Sequence, residues 1–404
     1  MSVITFIEGG AGVFAHCQRK MDLMMISLEA FTPPPEGLTV IILLEHIGDI
    51  IACEPVIGHA RAMWPDRPLA WLTLPRYVDL LSAHPGLDLV LTTESLERAT
   101  RWAEDLPENC RALNLHFHQR PCPATGRIVI NSNDPRINTS NYLDYGGLLT
   151  SFCLSAGLPP LSGPPRFYID DQVRTNGPDQ PYVIFHCRSN SEDRNWDPLK
   201  WQGLFDYFAD KNITVAEIGL EPVVDRRDHP LYKDLTGQLS LSQIALTIDR
   251  ADCFLGVDSG FAHLANALNK PGLIIMGLYD RWNDYNPFTG LYAEGHIVRH
   301  PRLPARYLSL ERVIDRYERL GSPDPNQDEN LRSDEGPLIF PNALQKILLK
   351  IYRPLAKRGP TADYRLFTGH PRLYFMIPGQ DRFAGKAIRA VLKITGGVPP
   401  KVYF

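Results

Sequence analysis

The stretch from Phe254 to Pro271, FLGVDSGFAHLANALNKP, puts polar residues where an apolar run turns into a helix-like one. The run ends at Asp258-Ser259-Gly260. Asp258 or Ser259 can cap the helix that follows, and Gly260 lets its backbone approach a ligand closely. The free N–H groups and positive dipole end of such a terminus attract an anion, and a diphosphate suits them. Phe261 borders that terminus, and His263 falls in the first helical turn, where it can add a donor. The same residues would also make a plain capped helix in any α/β protein.

Other candidates follow other apolar runs. His186 and Arg188 close the run that starts at Tyr182 and could meet phosphate. Glu221, after Gly219-Leu220, stands where a dinucleotide-type fold binds ribose hydroxyls, and it reads equally well as a solvated loop acid. Arg194 lies in a loop and is either a surface cation or a partner for phosphate. No D-x-D occurs to carry a divalent ion, and none of the seven scattered cysteines belongs to a C-x-x-C pair or a zinc spacing. Free thiols, mostly buried, and no metal are expected.

These residues need elements to hold them. The 404-residue chain is long enough for two domains. Residues 38–44 (LTVIILL) read as a strand buried on both faces, followed by a helix over 51–64. Strands at 69–74, 87–91 and 112–117 alternate with helices at 77–83 and 94–103. A polar loop at 131–141, a helix over 142–156 and a linker at 171–181 follow. Alternation then restarts, with strands at 182–186, 213–218, 253–257 and 272–276. Helices are expected at 199–209, 241–249, 261–268 and 308–319. Two such βαβ series make two Rossmann-like domains facing across a cleft. The boundaries expected are an extension at 1–37, domains at 38–175 and 176–322, and a linker with a basic C-terminal extension at 323–404.

Charge divides the chain. Residues 341–404 hold 12 Lys or Arg against two acids, a formal +10, while the rest, with 30 bases and 44 acids, carries −14. A helix with lysines and apolar residues at helical spacing is expected at 344–355. It packs on the body or lies on a membrane surface. Such a tail suits an anionic inner-membrane surface or glycolipid; nucleic acid is not among the partners expected. Residues 1–17 lack a basic leader, and no run approaches the roughly 20 apolar residues of a membrane span. A cytoplasmic protein, peripheral on the membrane at most, is the expectation.

The phrase VDSGFAHLANALNKP, followed by Gly277, resembles the donor motif of glycosyltransferase family 9, the ADP-heptose:lipopolysaccharide heptosyltransferases. Ile47-Gly48-Asp49-Ile50 is similar to that family's N-terminal G-D turn, and the stretch through Trp64-Pro65 to its first helix. Arg194-Asn195-Trp196 resembles its K-x-W segment, and Leu235-Thr236-Gly237 with Ser240-Leu241 its approach to the donor motif. The likeness covers about residues 38–320. It implies a two-domain GT-B fold with the acceptor on the first domain and the nucleotide sugar on the second. It also implies transfer with inversion, Asp49 as general base, and ADP-heptose as the default donor, with no further cofactor. A carboxylate at the cleft edge can take the acceptor's proton. Arg194, His263 and helix N–H groups can neutralise the leaving diphosphate without a metal.

The chain departs from the family at three places. Arg194 replaces the usual lysine, exchanging a point donor for a planar fork. Glu45 and His46 precede Gly48, which makes His46 a rival base. Leu278-Tyr279-Asp280-Arg281-Trp282 stands where the family's threonine follows Gly277, so the transferred sugar stays open.

Overall fold

The computed structural model describes residues 24–320 and the short strands at 365–366 and 375–376. The first 23 residues, residues 321–336, the expected helix at 344–355 and most of the basic tail lie outside the described residues.

Residues 1–324 make one structural unit. Its first half runs β1 (Met24–Ser27), β2 (Thr39–Ile42), α1 (Ile47–Ala52), α2 (Pro55–Met63), β3 (Leu69–Thr73) and β4 (Leu89–Thr92). Helix α3 (Leu96–Glu104), β5 (Arg111–Asn114), the hairpin β6 (Gln119–Pro121) with β7 (Ile128–Ile130), and α4 (Leu148–Ser155) follow. The main sheet has the order β1-β4-β3-β2-β5 and is parallel throughout. Strands β2 and β3 are buried at every position, which is why their sequences are continuous apolar runs rather than alternating ones. Trp71, fully buried on β3, donates its indole N–H to the Leu43 carbonyl at 3.2 Å, so no polar group is stranded there.

The second half contains β8 (Tyr182–His186), α5 (Pro198–Asp210), β9 (Thr214–Glu217), β10 (Tyr232–Asp234), α6 (Leu241–Arg250) and β11 (Cys253–Val257). Helix α7 (Gly260–Ala267), β12 (Gly272–Met276), β13 (Ile297–Arg299) and α8 (Leu310–Glu318) complete it. Its parallel sheet has the order β10-β9-β8-β11-β12-β13, two three-strand halves diverging from the β8/β11 pair. One face, through Val183, Phe185 and Leu255, packs on the aromatic side chains of α5. The other, through Ile184 and Phe254, shares a core with the first half by way of α7, which is buried almost all round. In the separate unit of residues 325–404, β14 (Arg365–Leu366) pairs antiparallel with β15 (Phe375–Met376).

The structure corrects several expectations. Residues 24–27 are no featureless extension: β1 forms the sheet edge beside β4. The helix expected over 51–64 starts earlier and is two helices. Pro55 sits at the start of α2 because it cannot donate within a helix interior, so the chain breaks there. Gly48 and Asp49 therefore lie inside α1 rather than in a turn before it. Residues 75–80 are a 3₁₀ turn where a helix was expected, and α4 begins at Leu148 rather than at 142. The strands β6, β7, β10 and β13, three residues each, had no counterpart in the sequence reading. The six described cysteines are buried free thiols.

Candidate active site

Open parallel sheets bind ligands beyond the carboxyl ends of their strands, where the strand order reverses. In the second sheet that point lies between β8 and β11, whose ends deliver His186 and Asp258. In the first it lies between β2 and β5, whose ends lead into Glu45–Asp49 and the segment carrying Arg120. A cleft of about 980 Å³ joins the two points. His46, Asp49, His186, Arg188, Arg194, Glu221, Asp258, Ser259, Gly260, Phe261 and His263 all line it.

The halves meet helix against helix. A Cβ at Gly48 would come within 2.9 Å of His263 Cδ2, and one at Gly260 within 2.8 Å of Ile47 Cβ. Only glycine at both positions lets α1 and α7 approach this closely. That contact brings Asp49, in the first turn of α1, near the start of α7.

On the α7 side, Ser259 Oγ accepts from the Ala262 N–H at 3.3 Å and caps the helix, while His186 Nδ1 lies 3.0 Å from the same hydroxyl. Asp258, buried, accepts from Tyr285 Oη at 2.7 Å and from Arg194 Nη1 at 3.4 Å, both on Oδ2. Arg194 also bonds Asn190 Oδ1 and lies over the Tyr279 ring at 4.9 Å, while its Nε has no partner among the described residues. Burial opposes its charge, yet Asp258 beside it carries its pKa above the ordinary arginine value. Trp196, two residues on, is buried and donates to the Leu308 carbonyl at 2.9 Å, so it anchors the loop that holds Arg194. Burial pushes both His186 and His263 down to about 4, so each is neutral at pH 7. Among the described residues His263 Nδ1 has no hydrogen-bond partner.

Glu221 is 79% exposed and lies 3.8 Å from Arg188 at the cleft rim. Its loop is tied down by Glu217 at the end of β9, a buried carboxylate that the sequence reading passed over. Glu217 accepts from the N–H groups of Val223 at 2.7 Å and Val224 at 3.0 Å and from Tyr232 Oη at 2.6 Å. Gly237, at φ +66, donates to the Gly219 carbonyl at 2.8 Å, which is the structural work of the Leu-Thr-Gly turn.

On the α1 side, Asp49 Oδ2 accepts from the His46 backbone N–H at 3.2 Å and from Arg120 Nη2 at 3.5 Å. Burial raises the Asp49 pKa, but the His46 contacts and the Arg120 charge outweigh it and hold the carboxyl below its ordinary value. Asp49 is ionised at neutral pH. His46 caps the helix, and its Nδ1 lies 3.2 Å from Arg120 Nη2.

Arg120 and Tyr285 also line the cleft without having been singled out from the sequence, and Tyr279 was noted there only as part of the 278–282 departure. The two tyrosines sit on the segment after β12 that closes one end of the cleft. There Arg281 pairs with Asp144, Trp282 donates to Asp144 Oδ1 at 2.7 Å, and the Pro287 carbonyl accepts from the Leu148 N–H at 3.1 Å. A strap from the second half is thus fastened to the first.

Residues 166–283, which hold β8 through β12, match the family model for glycosyltransferase family 9 (heptosyltransferase). Over these residues the chain resembles that family. Lipopolysaccharide heptosyltransferase 1 of Escherichia coli K12 is 25% identical to it over 145 residues, 34% of this chain and 44% of that protein. The protein of the same description in Salmonella typhimurium is 25% identical over 105 residues, 25% of this chain and 33% of its own length. The chain thus matches less than half of the length of these curated relatives. The family 9 glycosyl transferase structure from Veillonella parvula superposes at a TM-score of 0.51 and 14% identity, covering 70% of this chain and 96% of that one. The ADP-heptose lipopolysaccharide heptosyltransferase II of E. coli gives 0.51 and 14% over 70% and 97%. The fold is the GT-B arrangement of this family, two parallel α/β halves around a cleft. The matched residues include Arg194 and the Asp258–His263 wall, whereas Asp49, His46 and Arg120 precede them.

Proposed function

We propose that the protein is an inverting glycosyltransferase that moves a sugar, heptose by default, from a nucleoside diphosphate to a hydroxyl of a bacterial surface glycan or glycolipid. The observation that carries this reading is the placement of an ionised carboxylate, Asp49, across the α1–α7 contact from a helix start equipped for an anion. Asp49 takes the acceptor proton as the acceptor oxygen bonds the anomeric carbon. The bond from that carbon to the diphosphate oxygen breaks, and the electron pair leaves with the nucleotide. A single displacement of this kind inverts the centre.

The leaving charge meets Arg194, the N–H groups at the start of α7, and neutral His263, whose free ring nitrogen can bond the diphosphate. On this reading no metal is required. Arg188 and Glu221 at the rim, with His186 behind them, hold the nucleoside end. The strap sets Tyr279 and Tyr285 around the sugar end, beside Asp258.

The test is release of ADP from ADP-heptose in the presence of lipopolysaccharide. General-base catalysis is worth about 10²- to 10⁴-fold, so Asp49→Asn is expected to lower kcat by that factor while ADP affinity stays within about twofold. Equal turnover by Asp49→Asn would move the base to His46. Turnover of another nucleotide sugar only would keep the mechanism and replace the donor.

A further inference from the structure

Arg120 is the buried cation nearest the proposed base and belongs to no motif noted in the sequence. It sits on β6, just past the end of β5, at the reversal point of the first sheet. Its side chain is 9% exposed. Nη2 faces four groups of the 45–49 segment: the Glu45 carbonyl at 3.5 Å, Glu45 Oε1 at 3.9 Å, His46 Nδ1 at 3.2 Å and Asp49 Oδ2 at 3.5 Å.

Burying an arginine is costly unless charge and hydrogen bonds compensate it, and here two carboxylates, a carbonyl and an imidazole do so. The contacts of Asp49 with the His46 backbone at 3.2 Å, Arg120 at 3.5 Å and the His46 ring at 3.7 Å all fall on Oδ2, which leaves Oδ1 for an incoming hydroxyl. An N–H directed at His46 Nδ1 uses the lone pair that this nitrogen would need to act as a base. The same guanidinium therefore bears on both candidates for the base, and in opposite senses.

We infer that Arg120 is a positioning residue that holds Asp49 by one oxygen as the working base and takes His46 Nδ1 out of that role. The inference rests on the proposed transfer reaction for its function but not for its geometry. Arg120 acts through Asp49 and touches no reacting atom. The other titratable groups around Asp49 are Glu45, His46 and Cys53 of its own segment, His116 after β5, Tyr142 before α4, and His263 of α7. His116, His263 and the thiol are buried, and burial keeps each of them uncharged at neutral pH. That leaves two cations beside Asp49 among the described residues, Arg120 at 3.5 Å and the His46 ring at 3.7 Å when it is protonated, and of the two only the guanidinium is charged at every pH.

The experiment is an NMR titration of the full-length protein labelled with carbon-13 at aspartate carboxyls, with Asp49 assigned through Asp49→Asn. In the wild type Asp49 is expected to stay ionised below the ordinary value of 3.8. An opposite charge at this range shifts a carboxyl by about 1–3 units, so Arg120→Gln is expected to raise the midpoint by that amount, and Arg120→Lys to keep it low. Because removing one partner of a buried pair can unfold a protein, the wild type alone is also decisive. A wild-type Asp49 midpoint above 3.8 overturns the inference, and so does an Arg120→Gln midpoint no higher than the wild type's. The titration needs no donor or acceptor, so it can fail in an active transferase and succeed in a protein that transfers nothing.

Discussion

Asp258 joins a buried tyrosine to a half-buried arginine, and its second oxygen stays free of both. Removing the Tyr285 hydroxyl deletes a 2.7 Å bond without exposing a new charge. Tyr285→Phe is expected to cost about 1.5–3 kcal/mol of stability, the range for a bond to a charged group, and to weaken donor binding less than Asp258→Ala does, as calorimetric titration with ADP and ADP-heptose would measure. The two buried histidines give the site a pH signature. His186 and His263 stay neutral to about 4 when folded and titrate near 6.5 when unfolded. The unfolded chain therefore binds more protons between those values, and stability falls as pH drops through that window. Each histidine contributes at most about 3 kcal/mol to the fall. His263→Gln is expected to flatten the fall in Tm between pH 6.5 and 4; an unchanged slope would contradict the burial of a neutral ring. The strand-to-cap run at Asp258-Ser259 was legible because a cap is a local pattern. Arg120 was not legible: its partner is 71 residues away and its strand has three residues. Tyr279 and Tyr285 likewise gain their meaning only when the strap folds back on Arg194.

The contact of α1 with α7 is the element on which catalysis and folding both depend. Gly48→Ala must push His263 away, and Gly260→Ala must displace the branched Cβ of Ile47. Overpacking of this kind costs about 1–3 kcal/mol, and Gly260→Ala is expected to be the worse of the two because its neighbour is rigid. Thermal melts together with turnover would check this, with turnover falling more than stability if the helices separate across the cleft. The strap makes a second prediction. Trp282→Phe keeps the ring against Tyr142 but loses the bond to Asp144, so it is expected to raise KM for the donor several-fold and to speed amide exchange at Leu148. The long buried strands were legible as apolar runs, and β8, β11 and β12 have the residues expected of them. The three-residue strands carry too few residues for any periodicity. The α1–α2 break was hidden because apolar spacing runs on through Pro55, and only the proline's missing N–H ends the first helix.

At the scale of the molecule, two parallel sheets present their reversal points to one cleft, the first with an ionised acid and the second with a cation and a helix start. This arrangement follows from strand order alone, which is why alternation in the sequence was enough to place the cleft between the halves. It was not enough to show that β1 extends the first sheet, since four residues beyond a proline-rich turn give no sign of their partner. Among the described residues no helix is long and apolar enough to cross a membrane. The measurement that bears most directly on the cleft is a thermal-shift screen of the full chain against ADP, UDP, GDP, CMP and their sugar conjugates. A ligand that binds only the folded state stabilises it by about 2.7 kcal/mol at a hundredfold excess over Kd. Stabilisation by ADP and ADP-heptose, retained in Asp49→Asn and lost in Asp258→Ala, is the expected result. No shift with any nucleotide would contradict a nucleotide-sugar site between the two sheets.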